Sequence, residues 1–162
     1  MSRESAEGLR ALLRDIGRSE AKLAGLKSQV LAEIARRDSD GAATRVAKRQ
    51  LRTSRHHAKH DVEAARRLAE LPSTADALNC GDIPPGHARL IARASSEGPI
   101  NEQALVEAAK TQGYDEFAKT VRRQQHELSA DDGQALLDRQ REKRTGRMFQ
   151  SRESGMFVLS AE

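Results

Sequence analysis

Aromatic side chains make up only 2% of the 162 residues, and tryptophan is missing altogether. A core with so few rings has to be built from Leu, Val, Ile and Ala, which suits closely approaching helices better than stacked sheets. Cysteine occurs once, as Cys80, so the chain can form no internal disulfide and no cysteine-paired zinc site. No apolar run approaches the roughly 20 residues needed to cross a bilayer. The opening MSRESAEGLR also lacks the apolar stretch of a signal peptide. These absences point to a soluble, cytoplasmic protein with no membrane partner. A Gly-rich phosphate loop, a serine nucleophile elbow and an HExxH helix are missing too, so no catalytic residue is assigned.

What the chain has in quantity is charge. Charged residues account for 32% of it and the net charge is +4. The distribution is uneven. Residues 42–67 hold eight Lys/Arg against two acids, and residues 139–152 hold six against one, which leaves the remainder acidic. Basic blocks in an otherwise acidic chain fit an anionic partner, with duplex DNA the first candidate and solvated helix faces the plain alternative. The candidate phosphate contacts are Arg45, Lys48, Arg49, Arg52, Arg55 and Lys59, with a second set at Arg139, Arg141, Lys143 and Arg144.

Helical periodicity organises most of the chain. Residues 5–37 contain no proline, and Leu9, Leu12, Ile16, Leu23, Leu26 and Val30 recur at 3–4 spacing, with Ser19 the one polar interruption. Leu13, Leu31 and Ile34 widen that stripe, and a wide stripe is expected to pack inside its own domain. A homodimer through residues 5–37 is the alternative. Asp38–Gly41 reads as a stop. A short basic helix over 42–52 follows, then a second from the Thr53-Ser54 caps to Leu71, with Ala58, Val62, Ala65 and Leu68 or Ala69 facing inward. This pair has the ingredients of a helix-turn-helix, although no glycine marks the turn. Pro72, Ser73 and Thr74 precede a short helical turn over 75–79, stopped by Gly81, and Pro84-Pro85 open another helix. Further helices are expected from Asn101 to Gly113, with Leu105, Val106 and Ala109 inward, and from Asp115 to Leu128, with Phe117 and Val121 inward. A last one is expected from Ser129 or Asp131 to Arg144, carrying Leu136 and Leu137.

Residues 147–150 and 155–160 have strand character about a hairpin-like connection. The expected fold class is therefore mainly α: a multi-helix bundle with a long N-terminal helix, a helix-turn-helix-like pair and a C-terminal β-hairpin. The expected domains are a helical one over 1–146 and the start of a truncated β-containing segment over 147–162.

The segment from Arg66 to Ala92, RRLAELPSTADALNCGDIPPGHARLIA, carries a more specific signal. Its pattern of Leu-Pro, a short helix to Gly81, Ile83 and then His87-Ala88-Arg89 closely resembles the domain-of-unknown-function 222 family (DUF222), also called the thirteen-E-twelve repeat family. The resemblance extends along most of the chain. It implies a bacterial protein whose relatives often end in an HNH-type endonuclease module, with paired cysteines and a metal-binding ββα unit. No such module is present in these residues. The chain is accordingly expected to be a non-catalytic, DNA-engaging arm, with no cofactor of its own and a divalent metal expected only in the nuclease module. The alternatives are a helix-mediated assembly module and an inert fragment of a mobile-element gene. Relatives often carry a Trp near the start of the short basic helix, which this chain does not.

The histidines give little independent chemistry. His56 and His57 are neighbours about 100° apart on a helix and share no ligand face. His56 and His60 do share one, but a third metal ligand would have to come from elsewhere. His87, just inside the helix opened by Pro84-Pro85, is expected to pack and to cap backbone groups.

Overall fold

The computed structural model describes residues 6–129, 146–150 and 157–161. Two compact units divide the chain, Met1–Gln125 and His126–Glu162. Seven helices are described: α1 (Ala6–Arg37), α2 (Asp40–Gln50), α3 (Arg55–Ala69), α4 (Pro72–Cys80), α5 (Pro85–Glu97), α6 (Glu102–Thr111) and α7 (Tyr114–Ser129).

The helix boundaries follow from local chemistry. Ser39, Ser54 and Asn101 each accept a hydrogen bond from the amide three residues on, at 3.2, 3.1 and 3.1 Å, and so start α2, α3 and α6. Only Asp38 and Ser39 separate α1 from α2, so the expected stop at Asp38–Gly41 is shorter than the sequence implied, and Gly41 lies inside α2. Likewise α4 starts at Pro72 rather than Ala75. Proline is suited to a first helical position because no intrahelical partner exists there for an N–H. No side chain of its own N-cap serves α4. Instead Glu102 of α6 accepts from the Thr74 amide at 2.7 Å and the Thr74 hydroxyl at 2.8 Å. Gly81 ends α4 in the left-handed region at φ 81°, and a Cβ there would meet the Arg18 carbonyl oxygen at 3.0 Å.

Two buried clusters hold the helices together. One joins Ala21 of α1 to residues from α3 to α7 and includes Leu68, Leu78, Ile83, Ile91, Leu105, Phe117 and Val121. The other lies between α1, α2 and α3 and consists of Leu31, Ala43, Ala47, Ala58, Val62 and Ala65. The inward residues expected for α3, α6 and α7 are all buried.

The long helix α1 departs from expectation. Its bundle-facing positions are small: Ala21 and Gly25 are buried, with Leu31 beyond them. A Cβ on Gly25 would run into the Asn79 side chain and approach the Asn79 Cα to 3.3 Å, so α1 and α4 touch nearly backbone to backbone. The larger stripe points elsewhere. Leu9, Leu12, Ile16, Leu23, Leu26 and Val30 are between 46% and 67% exposed. Among the described residues nothing covers these six, whereas Leu31 and Ile34, which were expected to widen the stripe, do pack in the cluster between α1, α2 and α3. Residues 21 and 23 lie about 200° apart on a helix, and the close α1–α4 contact selects the small side.

The fold class is also corrected. Among the described residues both buried clusters are built by helices and the segments that join them, so the fold is all-helical rather than a bundle completed by a C-terminal β-hairpin. The strand residues described, β1 (Gly146–Gln150) and β2 (Phe157–Ala161), align antiparallel with Gly146 opposite Ala161. The residues that would connect them lie outside those described. A two-stranded pair is marginal by itself and does not set a fold class. The helix expected over 131–144 lies outside the described residues as well.

Candidate nucleic-acid interface

Helices α2 and α3 pack through alanines, with Ala43 and Ala47 on one side and Ala58 and Ala65 on the other. This close approach leaves the long side chains at the margins of the interface. Arg45 and Lys48 project from α2, and Arg55 and Lys59 from the first two turns of α3. The four line one open cleft of about 520 Å3, whose other lining residues include Thr44, Asp40 and Glu63. Arg49 and Arg52 are exposed on the same helix pair but do not line the cleft. Arg139, Arg141, Lys143 and Arg144 lie outside the described residues.

The acids at the cleft are partly engaged. Asp40 accepts from Arg66 at 2.9 Å, and Glu63 lies 3.6 Å from both Lys59 and His60. Among the described residues no ion pair engages Arg45, Lys48, Arg49, Arg52 or Arg55, so five cations face solvent around one helix pair. The α2–α3 connection is tight. Arg52 adopts φ 49°, the place in the turn where a helix-turn-helix would usually use glycine. The missing glycine thus marks an arginine held in a left-handed conformation, not a missing turn.

Behind this surface, Asp61 ties three helices together. It accepts from Lys27 of α1 at 2.8 Å and faces Arg89 of α5 at 3.6 Å. Arg89 belongs to the HAR motif, and sequence reasoning gave it no partner because the contact spans distant segments. His87 of the same motif is buried, and its Nε2 donates to the Gln112 carbonyl at the end of α6 at 3.0 Å. Its ring stacks on Phe117 with centroids 4.7 Å apart and meets Tyr114 edge-on at 5.8 Å. His87 therefore joins α5, α6 and α7 and packs in the core.

No catalytic constellation assembles among the described residues. His56 Nε2 and His60 Nε2 are 3.1 Å apart, but no group of three metal-binding side chains occurs. A wider concavity of about 880 Å3 near the α1–α2 turn is ringed by charges that pair with one another, Glu33 with Arg36 and Asp40 with Arg66. No described helix is long and apolar enough to cross a membrane.

Residues 10–161 match the family described as Domain of unknown function (DUF222). The chain belongs to the DUF222 family. No curated protein and no solved structure matches it. In this DUF222 chain the motif-bearing segment from Arg66 to Ala92 forms the end of α3, all of α4 and the first half of α5. Its named residues hold the bundle together: Thr74 bonds α6, Gly81 closes α4 against α1, and His87 bonds the end of α6.

Proposed function

We propose that this domain engages duplex DNA through the basic face of α2 and α3, and that it is the non-catalytic arm of a protein whose HNH-type nuclease module does the cutting. The observation that carries the DNA reading is the convergence of Arg45, Lys48, Arg55 and Lys59 on one open cleft, with Arg49 and Arg52 beside it. Long cationic side chains around a cleft suit a phosphate backbone, which dominates affinity for DNA without specifying sequence. The nuclease arm rests on the family resemblance alone. In this reading any divalent metal belongs to that other module.

Fluorescence anisotropy of a labelled duplex across a salt series tests the DNA reading. Four phosphate contacts give a log–log salt slope of roughly −3.6, about −0.9 for each. The triple change Arg45→Glu, Lys48→Glu and Arg55→Glu removes binding while leaving the melting temperature nearly unchanged, because all three side chains are exposed. Absence of binding at low salt, or binding indifferent to salt, overturns the proposal.

A further inference from the structure

The two faces of α1 obey different spacing rules. Toward the bundle run small residues, with Ala21 and Gly25 buried. Toward solvent, Leu9, Leu12, Ile16, Ser19, Leu23, Leu26 and Val30 follow strict 3-4 alternation over three heptads. In heptad terms Leu9, Ile16, Leu23 and Val30 are a positions, and Leu12, Ser19 and Leu26 are d positions. Six of these seven positions are apolar, with Ser19 the one polar member, and an apolar a/d repeat over at least three heptads is the sequence criterion for a coiled coil. Leu23 is 67% exposed and Leu26 57%, so among the described residues nothing covers the seam.

We propose that this seam pairs antiparallel with α1 of a second copy of the chain. Charge selects both the occupant and its direction. Parallel pairing would set Asp15 against the partner's Glu20 and Lys22 against the partner's Lys27, two like-charge contacts at the flanking positions. Antiparallel pairing with Leu9 against the partner's Leu26 and Leu12 against the partner's Leu23 instead brings Asp15 beside the partner's Lys22. The two-fold axis repeats that attraction. Sliding by one heptad either way opposes Lys22 to the partner's Lys22 or Asp15 to the partner's Asp15, so a single register avoids repulsion.

The placement of the bundle permits this arrangement. Buried positions on α1 begin at Ala21, so each bundle occupies the C-terminal part of its own α1. In the antiparallel pair the two bundles lie at opposite ends. The seam also has a defined end. The next d position is Glu33, whose bonds from Arg36 and Arg37 hold its carboxyl down at about 2, so it stays charged at neutral pH. This inference is independent of DNA binding, since the cleft between α2 and α3 is not part of the seam.

Sedimentation of the whole chain tests it. The expected mass is twice the 17.8 kDa of one chain. Leu23→Glu weakens association at least ~100-fold by burying an unpaired carboxylate, with helix content by circular dichroism retained. Asp15→Lys weakens it by roughly 10-fold, and adding Lys22→Asp restores it, which only the antiparallel register explains. A monomer at ~1 mM overturns the proposal. So does a dimer unaffected by Leu23→Glu, or a charge swap that fails to restore pairing. A monomer with slow amide exchange across residues 9–30 overturns it too, and assigns the seam to another part of the same chain.

Discussion

Around α4, α5, α6 and α7 the interior is filled by Ile83, Ile91, Leu105, Phe117 and Val121, whereas between α1, α2 and α3 it is four alanines with Leu31 and Val62. The first region is stabilised by area. Each large side chain removed from water contributes about 1.5–3 kcal/mol. The second is stabilised by proximity, because alanines bury little surface but let helix backbones approach closely. That proximity has a consequence at the surface. The rims of a thin, alanine-lined interface are occupied by long basic side chains, and the basic cleft lies on this alanine-packed half of the bundle. The bulky half holds the family motif, with His87 stacked on Phe117. One half provides most of the buried apolar surface, and the other presents the charge.

The largest expected break of this division is Phe117→Ala. Phe117 is completely buried and carries the His87 stack, so its truncation costs about 3–5 kcal/mol in urea denaturation. A loss below about 1 kcal/mol would mean that the bulky half does not dominate stability. A smaller effect is expected from Ala58→Leu, at a fully buried position of the alanine cluster. Overpacking there costs about 1–3 kcal/mol and spreads α2 from α3, so duplex affinity falls although no cation is removed. Unchanged affinity would separate the cleft from its supporting core. The smallest is Arg52→Gly. Relief of the left-handed strain at φ 49° outweighs the added unfolded-state entropy, giving a net gain of about 0.5 kcal/mol in thermal melts. A net loss would show that the Arg52 side chain contributes packing that outweighs the strain.

Much of the architecture was legible from local chemistry. Ser54 and Asn101 cap the helices they were expected to cap, and Gly81 ends α4 where a left-handed residue is needed. The inward stripe of α3 was readable because Ala58, Val62, Ala65 and Leu68 recur at helical spacing with charge between them. The basic cleft was legible only in part. Six exposed cations were named on α2, the turn and α3, but their sequence order did not reveal that Arg49 and Arg52 stand outside the cleft. The glycine-less turn looked like evidence against a tight helix pair until the φ of Arg52 showed that a non-glycine residue takes the strained position. The bonds from Thr74 to Glu102 and from Lys27 to Asp61 cross 28 and 34 residues, and no local spacing predicts them.

The amino-acid sequence by itself determined that the bundle is helical, roughly where most of its helices lie, and that basic residues cluster on α2 and α3. Those properties depend on caps, periodicity and composition, which act over a few residues. Tertiary structure alone decided which face of α1 the bundle would take. The leucine stripe looked like the natural core face because it is the more apolar one. The contact with α4 favours a glycine at position 25, since a Cβ there would displace the Asn79 side chain and crowd its Cα at 3.3 Å, and that close approach places the small side inward and leaves the leucines outside. Hydrophobicity ranks faces by area, but backbone separation decides which face fits.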